Sequence, residues 1–420
     1  MAGQIPLGRL LPRHAADRVT GALADTRVVL VNGARQCGKS TLVGLIGRSR
    51  DAEFRTLDRG AVRQAAVFDP PTFVTSDRLL VIDEIQRVPE LLLAIKERVD
   101  TDLRPGQFLL TGSARVLGLK ALPDTLLGRM ETVELWPLAQ GEIDDGPDGF
   151  VDAIFELGPA FRHRTSETRS GYVSRIVRGG FPEAVARTPR RRTRFFESYL
   201  ADLVNRDVIQ LMDVQRGAEL RALTRLVAAR SGQLLVPGSL AGPLGLSQRT
   251  VERYLTLLEE VFLIKRIPAW ARSPSARAVR TPKVAYVDSG LAAAALGHDE
   301  SSLGRPDGQL GGLLEGFVLS ELARQLSWSA QLADLFHYRT KDQVEVDAVI
   351  ENRRGQVVAI KVKASTMVRG EDFAGIRHLS ARIGTDLVVG VVLYAGAETL
   401  SFGDRMLAVP IAALWERPQA

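Results

Sequence analysis

The chain has 420 residues, 45% of them hydrophobic and 25% charged, with a formal net charge of +6. This length is typical of two or three globular domains, and the composition excludes collagen-like and disordered classes. A single cysteine, Cys37, excludes an internal disulfide and a cysteine-rich metal site, and no apolar run is long enough to span a bilayer.

Apolar strands alternate with helices in the first third of the chain. A helix over residues 13–25 precedes four predicted strands, at 26–33, 78–84, 107–113 and 130–138. One helix follows the first strand and another spans 89–100. This alternation is typical of a parallel sheet with helices on both faces. We therefore predict an α/β domain over residues 1–145, ending in the acidic, glycine-rich segment 141–149.

The remaining chain divides into three predicted parts. Residues 146–218 are predicted to form a helical linker region, which carries an arginine-rich run at 189–194. A helical module with a strand at its end, typical of a winged helix, follows over 219–295. Over 296–420 a helix and several apolar strands indicate a small second α/β domain.

A glycine-rich motif follows the first predicted strand and leads into a helix. It comprises Gly33, Ala34, Arg35, Gln36, Cys37, Gly38, Lys39, Ser40 and Thr41. Two glycines, a lysine and a hydroxyl residue at this spacing form a phosphate-binding loop (P-loop), whose backbone N–H groups turn towards phosphate oxygens. Lys39 would reach the β- and γ-phosphates of ATP, and Ser40 would ligate Mg²⁺. We assign no chemistry to the Cys37 thiol.

Two acids, Asp83 and Glu84, end the apolar run of the second predicted strand. At the carboxyl end of a buried parallel strand, Asp83 would hold the Mg²⁺ shell, and Glu84 would orient or deprotonate the attacking water. Capping of the following helix is an alternative role that is compatible with catalysis. Together with the P-loop, the acid pair predicts an ATPase that uses ATP and Mg²⁺.

Two further segments are candidates for contact with the γ-phosphate. The third strand ends in LLTGS and would lie between the other two, so Thr111 or Ser113 would sense that phosphate. Arg129 lies just before the fourth strand and would act as an arginine finger, within its own chain or towards a neighbour in a homo-oligomer. A surface salt bridge is the alternative for Arg129.

These motifs resemble those of bacterial AAA+-like ATPases whose P-loop reads GARQxGKST. The matching stretches here are GARQCGKST, IDEIQRVPELL, LTGSARVL and LLGRMETVELWPLAQGE. The resemblance continues through GGFPEAV, ESYLADLVNRDV, TPKVAYVDSGL, LLEGFVLSEL and YRTKDQVEVD, into an uncharacterised domain that accompanies these ATPases. It implies a P-loop NTPase fold, whereas the family has no settled biological role.

Residues 239–267 have the pattern of a helix–turn–helix. Ser247 would cap the second helix. The buried stripe of that helix would comprise Val251, Tyr254, Leu255, Leu258 and Val261. Gln248, Arg249 and Arg253 would then face outward and enter a DNA groove. In the alternative, the module only packs between domains or onto a neighbour, since nearby acids dilute its positive face.

The last predicted domain resembles the PD-(D/E)xK nuclease superfamily, in which acids on a helix and two strands gather Mg²⁺. The resemblance implies Glu315 as the helix acid, Asp347 as the strand acid and Lys363 as the superfamily lysine. Lys361 stands where a metal-binding acid belongs, and its cation would repel a metal. Glu345 is not expected to replace that acid. We therefore expect a restriction-endonuclease-like fold that is degenerate and has no nuclease chemistry.

Three functions remain open. The leading one is a Mg²⁺-dependent ATPase whose nucleotide state repositions the winged-helix and nuclease-like regions, with DNA as a candidate partner. The second is a nucleotide-dependent signalling scaffold that binds a protein, and the third is a metal-dependent nuclease. Because the N-terminal residues carry no secretory signal, we expect a cytoplasmic protein without a membrane partner.

Overall fold

The computed structural model describes residues 9–113, 126–204, 217–278, 280–305, 308 and 310–417. The chain forms two compact units. The N-terminal unit contains Pro12–Pro137 with Glu260–Phe262, and the C-terminal unit contains Leu138–Glu259 and Leu263–Ala420. The predicted linker, winged-helix and nuclease-like regions thus share the C-terminal unit, and the finer division at residues 218 and 295 stays a prediction.

Five parallel strands form the sheet of the N-terminal unit, in the order β2-β3-β4-β1-β5. They are β1 (Val28–Asn32), β2 (Glu53–Thr56), β3 (Leu80–Asp83), β4 (Phe108–Gly112) and β5 (Met130–Glu134). Every residue of β1, β3 and β4 is buried, because helices cover both faces of the sheet. As predicted, β4 lies between β1 and β3, so the segments that follow these three strands emerge together at one edge.

Helices pack on both faces of this sheet. They are α1 (Ala15–Asp25), α2 (Lys39–Ser49), α3 (Gly60–Phe68), α4 (Pro70–Phe73) and α5 (Leu91–Thr101). Apolar residues of α5 join Leu80 and Ile82 of β3 in one core cluster. On the opposite face, α2 approaches so closely that a Cβ on Gly47 would lie 3.2 Å from the Val81 side chain.

Most of the described helices of the C-terminal unit precede its large sheet in the chain, and the last of them lies between two strands of that sheet. They are α6 (Gln140–Asp144), α7 (Phe150–Leu157), α8 (Arg169–Arg178), α9 (Pro182–Val185), α10 (Pro189–Asp202), α11 (Gly217–Ala228), α12 (Pro237–Leu244), α13 (Gln248–Glu260), α14 (Pro274–Ala278), α15 (Ser289–Ala295), α16 (Glu300–Leu303), α17 (Leu310–Leu326) and α18 (Ala374–Ile383). Of the arginine-rich run, Arg192 is buried and donates to the Ala184 and Arg187 carbonyl oxygens, each at 3.1 Å. Its role is therefore structural.

The module predicted around α13 has the expected local layout. Ser247 caps α13, because its Oγ accepts a hydrogen bond from the Thr250 N–H at 3.1 Å. The predicted stripe residues on α13, Val251, Tyr254, Leu255 and Leu258, are buried. After α13, β6 (Ile264–Ile267) pairs antiparallel with β7 (Lys283–Tyr286). The assignment of this arrangement as a winged helix stays a prediction.

A six-stranded mixed sheet, in the order β12-β13-β11-β10-β9-β8, completes the C-terminal unit. Its strands are β8 (Ala333–Arg339), β9 (Glu345–Asn352), β10 (Val357–Lys363), β11 (Leu387–Tyr394), β12 (Leu400–Ser401) and β13 (Met406–Pro410). Strands β10, β11 and β13 run parallel, whereas β8 and β9 form an antiparallel hairpin at one edge. Helix α17 packs near β7, β8 and β10. In the described part of the chain, no helix is long and apolar enough to cross a membrane.

Candidate functional site

The segment between β1 and α2 forms a tight loop at the carboxyl edge of the N-terminal sheet. Gly33 (φ 156°) and Gly38 (φ 103°) both have positive φ angles, which glycine adopts readily. A Cβ on Gly33 would lie 2.1 Å from the Leu135 carbonyl oxygen, so no side chain fits there. The Gly33 N–H donates to the Asn32 side chain at 3.1 Å, which ties the start of the loop to β1.

Contacts with other segments of the N-terminal unit hold the middle of this loop in place. Arg13 donates to the carbonyl oxygens of Cys37 at 2.8 Å and Trp136 at 2.5 Å, bridging the loop to the segment after β5. Cys37 is fully buried, and its Sγ lies 3.4 Å from the Leu135 carbonyl oxygen. The thiol therefore packs into the protein, which leaves only backbone atoms of Cys37 for the predicted contact with a ligand.

Lys39 is the first residue of α2, and its side chain is 4% exposed. Its Nζ donates to the carbonyl oxygens of Gly33 at 3.0 Å and Ala34 at 2.7 Å. Within the described residues this ammonium has no carboxylate partner. A buried cation that is balanced only by neutral carbonyls favours an added anion, and phosphate is the anion that this loop type binds.

Side chains from the start of α2 and from the ends of β2 and β4 converge on Asp83, the last residue of β3. Its Oδ1 accepts hydrogen bonds from Ser40 Oγ at 2.8 Å and Thr111 Oγ1 at 2.6 Å. The nearest described donor to its Oδ2 is Thr56 Oγ1, at 3.5 Å. The structure thus brings the predicted residues Ser40 and Asp83 together, and it adds Thr56 from β2, which the sequence analysis missed. Hydroxyl and carboxylate oxygens are the ligands that Mg²⁺ prefers, so this donor set fits the metal.

Glu84 lies beside Asp83 with its carboxylate held in place. Ser113 Oγ donates to both carboxylate oxygens of Glu84, at 2.8 and 3.1 Å, and the Gln86 amide donates to one of them. The Glu84 N–H donates to Thr111 Oγ1 at 2.9 Å. The backbone of Glu84 is left-handed (φ 63°, ψ 48°), a conformation that costs about 1–2 kcal/mol for a residue with a Cβ. Such strain is typical of functional positions.

The hydroxyls at the end of β4 contact the acids. Thr111 bonds Asp83 and the Glu84 backbone, and Ser113 bonds the Glu84 side chain. Contact of either hydroxyl with a γ-phosphate stays a prediction. Thr41 is exposed in the first turn of α2, next to Ser40.

Arg129 does not lie at this site, so an arginine finger acting within its own chain was wrong. Its carbonyl oxygen accepts from the N–H of Val28, which places it at the amino end of β1, the edge of the sheet opposite the P-loop. Its guanidinium pairs with Asp100. The salt-bridge alternative is the one observed, and the pairing raises the pKa of Arg129 through the hydrogen bond to Asp100.

In the C-terminal unit, three carboxylates gather around one buried lysine. Oxygens of Glu315, Glu345 and Asp347 lie within 4.8 Å of one another. The Lys283 Nζ lies 2.5 Å from Glu315, 2.6 Å from Glu345 and 3.3 Å from Asp347. Glu345, which we did not expect to replace the missing acid, joins this cluster because residues two apart on β9 share one face of the strand. The sequence analysis missed Lys283 entirely.

Both lysines of β10 are also engaged by acids. Lys361 Nζ bonds Asp347 Oδ1 at 2.8 Å, and the Val362 N–H bonds Asp347 Oδ2 at 2.8 Å. Lys363 instead bonds both carboxylate oxygens of Asp372, at 2.6 and 2.5 Å. The predicted superfamily role of Lys363 beside the acid cluster therefore has no support in these contacts.

The charges of this cluster determine its protonation. Burial alone would lower the pKa of Lys283, but Asp347, Glu315 and Glu345 outweigh that effect and raise the pKa above its usual value. Burial and the neighbouring Asp347 raise the pKa of Glu315 to about 7, against the opposing charge of Lys283. Lys283 is thus a cation near neutral pH, and it occupies the centre that a divalent ion would need.

The residues predicted to contact DNA lie on the exposed side of α13. Gln248, Arg249 and Arg253 are all exposed. Two of the acids expected to dilute their charge, Glu252 and Glu259, pair with Arg266 of β6, at 2.5 and 3.4 Å. One arginine thus offsets part of the negative charge near these residues.

Family models match three stretches of the chain. An AAA domain matches residues 25–144, and two domains of unknown function, DUF8612 and DUF4143, match residues 169–302 and 310–414. A five-stranded parallel sheet with a P-loop and an acid pair at its carboxyl edge, within the span of the AAA match, defines an AAA-type P-loop ATPase domain.

Relatives cover almost the whole chain. The uncharacterized proteins Rv2008c of Mycobacterium tuberculosis and Mb2031c of Mycobacterium bovis are each 30% identical over 403 residues, 95% of this chain and 83% of theirs. The chain belongs to the family of these AAA-domain proteins. An uncharacterized protein of Haemophilus influenzae is 22% identical over 323 residues, 74% of this chain and 72% of its own.

Solved structures also resemble the chain, and one of them does so at low similarity. It is the Walker-type ATPase PABY2304 of Pyrococcus abyssi, with 15% identity and a TM-score of 0.43, covering 70% of this chain and 99% of that one. A likeness of this size carries no conclusion about the function of this chain.

Proposed function

We propose that the chain binds ATP with Mg²⁺ and hydrolyses it to ADP and phosphate. The convergence on Asp83 is the observation that carries this proposal. Ser40 of the P-loop helix and Thr111 of β4 donate to the same oxygen of Asp83, and Glu84 is held beside it by Ser113. A P-loop hydroxyl, a strand-end aspartate and an adjacent oriented carboxylate are the groups that ATP hydrolysis requires.

Each group has a distinct role in this proposal. Backbone N–H groups of the loop from Gly33 to Gly38 and the Lys39 ammonium bind the phosphate oxygens. Ser40 and Asp83 hold Mg²⁺, which neutralises charge on the phosphates when it is bound. Glu84 accepts a hydrogen bond from the attacking water and orients it.

Two substitutions test these roles separately. Lys39→Ala should abolish ATP binding, whereas Glu84→Gln should bind ATP and hydrolyse it slowly, because the amide is a poor proton acceptor. Binding is measured by titration with a fluorescent ATP analogue, and turnover by release of phosphate. Glu90→Gln is the matched control, since Glu90 is exposed six residues further on. Wild-type turnover in Glu84→Gln would defeat the assigned role of Glu84.

We propose further that the nucleotide state acts on the C-terminal unit, with DNA as the partner. The exposed residues Gln248, Arg249 and Arg253 support a phosphate-binding face on α13, and Arg266 offsets part of the negative charge of Glu252 and Glu259. Binding that depends on phosphate contacts must weaken as salt rises, with a slope set by the number of contacts.

The test measures ATPase activity and DNA binding in a salt titration. Stimulation of turnover by DNA, lost in Arg249→Ala/Arg253→Ala, would support a DNA partner. Arg353→Ala/Arg354→Ala is the matched control, because it removes the same charge from exposed residues between β9 and β10. No DNA binding at low salt would instead favour a signalling scaffold that binds a protein.

A metal-dependent nuclease is the weakest alternative. Lys283 holds all three carboxylates of the candidate metal cluster, and Lys361 adds a second cation to Asp347. A metal would have to displace a buried ammonium that is bonded to these acids. Cleavage of DNA by the purified protein that disappears in Asp347→Ala would restore the nuclease hypothesis.

A further inference from the structure

A cavity of about 530 Å³ lies in the C-terminal unit, between the start of β7 and the β8–β9 hairpin. This volume is within the range of about 300–1,000 Å³ that is typical of small-molecule sites. Its lining includes four basic side chains, Arg280, Arg339, Lys341 and Arg382, and one acidic side chain, Asp342. Its walls therefore carry an excess of positive charge.

Three of these cations have no acid to balance them. Arg339 pairs with Glu345 at 2.9 Å, whereas Arg280, Lys341 and Arg382 form no ion pair with any acid of the described chain. All three are exposed, so they are accessible to a ligand in solution. Clustered cations at the mouth of a concave site attract anions and orient them.

Two aromatic side chains form part of the wall. His337 and Tyr338 both line the cavity and are buried, at the point where the β8–β9 register shifts. Burial raises the pKa of Tyr338, while the positive charges of Arg382 and Arg280 oppose that shift. Leu234 and Ala269 add apolar surface. The cavity thus combines cations with an aromatic and apolar wall.

Hydrogen bonding at His337 leaves one acceptor unused. Its Nε2 contacts the Thr281 carbonyl oxygen at 3.0 Å, so Nε2 carries the proton and donates it. Nδ1 is then an acceptor, and among the described residues it has no partner. Burial, with Lys283 nearby, lowers the pKa of His337 to about 4, so the ring is neutral at pH 7.

We propose that this cavity binds a phosphate group carried by a nucleotide or by the end of a nucleic-acid strand. Arg280, Lys341 and Arg382 supply the charge for the phosphate, and arginine also provides paired donors for its oxygens. The aromatic and apolar wall suits a base or a sugar. This site is separate from the P-loop, and it requires neither ATP hydrolysis nor the proposed DNA contact of α13.

The test uses the full chain and two probes in the absence of ATP. The first is a labelled single-stranded oligonucleotide with a 5′-phosphate, measured by fluorescence anisotropy at low salt. The second is AMP, measured by saturation-transfer NMR. Lys341→Ala/Arg382→Ala should lower the affinity for the probe about tenfold or more, because two charge-assisted contacts are lost. Lys39→Ala should leave this binding unchanged, which separates it from the P-loop.

A matched control distinguishes a specific site from a general effect of charge. Arg353→Ala/Arg354→Ala removes two positive charges beyond the far end of β9, roughly 25 Å along the strand from the β8–β9 turn. It should change affinity by less than about twofold. Binding of the oligonucleotide alone identifies a strand end as the ligand, and binding of AMP alone identifies a mononucleotide. Binding of neither probe, or equal weakening in both double variants, overturns the proposal.

Discussion

Replacement of Lys283 by alanine probes the acid cluster of the C-terminal unit directly. The change would leave three carboxylates, with oxygens within 4.8 Å of one another, without their shared cation. Lys283 and Asp347 are both buried, so water would screen the charge of Asp347 only weakly. Removing one partner of a buried ion pair typically costs about 3–5 kcal/mol, and we expect a loss of this size at pH 8.

The expected loss of stability depends on pH, and the protonation of Glu315 determines whether it grows or shrinks as the pH rises. The pKa of Glu315 already lies near 7, and it rises further when Lys283 is removed. A carboxyl whose pKa is raised in the folded state takes up a proton below that pKa, which relieves repulsion, so stability falls as pH rises through it. Lys283→Ala should therefore be destabilised less at pH 5 than at pH 8.

Urea unfolding followed by circular dichroism at these two pH values measures the effect. Lys361→Ala is the matched control, because Lys361 bonds the same Asp347 oxygen but its side chain is 35% exposed. Its loss should stay within about 1 kcal/mol. A Lys283→Ala protein within about 1 kcal/mol of wild type at pH 8 would refute the assignment of Lys283 as the cation of this cluster.

Three other substitutions have defined outcomes. Gly33→Ala should abolish ATP binding, since the new Cβ would lie 2.1 Å from the Leu135 carbonyl oxygen, and unchanged titration with ATP would contradict this. Ser113→Ala should keep ATP binding and lower the turnover number about 10- to 100-fold, because Glu84 loses a donor that orients it. A wild-type turnover number would show that Ser113 does not orient Glu84. His337→Gln should remove about 3 kcal/mol of acid destabilisation between pH 6.5 and 4. The buried histidine has a pKa of about 4 in the folded protein. As the pH is lowered, the unfolded chain therefore binds a proton at a higher pH than the folded protein does, and the stability of the wild-type protein decreases. Parallel pH profiles of the two proteins in urea unfolding would argue against this.

The nucleotide site could be predicted because its residues follow apolar strands. The P-loop and the pair Asp83-Glu84 each end a buried run, and parallel strands bring their carboxyl ends to one edge. Thr56 could not be found in this way. Its strand, β2, is at the edge of the sheet, and its residues are only half-buried or exposed. No apolar run marks it, and only pairing with β3 places Thr56 beside Asp83.

The direction of a strand explains the error at Arg129. The residue precedes β5, and a side chain before a parallel strand lies at the amino edge of the sheet, away from the loops that bind ligands. The motif suggested a catalytic arginine, but the topology excludes it within its own chain. The residue after β5, not the one before it, would be the candidate at the correct edge.

The role of Lys283 could not be predicted from the sequence, for a different reason. It lies on β7, 32 residues before Glu315 and 64 before Asp347, and no local pattern links it to either acid. The prediction of a degenerate nuclease site was based on the lysine at position 361, which is the more exposed of the two cations on Asp347. The buried cation that fills the cluster comes from outside the span in which the resemblance placed the site.

The carboxylates of the two units have different partners. In the N-terminal unit, Asp83 bonds only hydroxyls among the described residues, and hydroxyls can remain as ligands when a metal binds. In the C-terminal unit, the partner of the carboxylates is the buried ammonium of Lys283, which a metal ion would have to displace. A reaction that needs metal and substrate to enter and leave together therefore fits only the first arrangement. The second is suited to holding β7, α17 and β9 together, because Lys283, Glu315 and Asp347 come from these three elements.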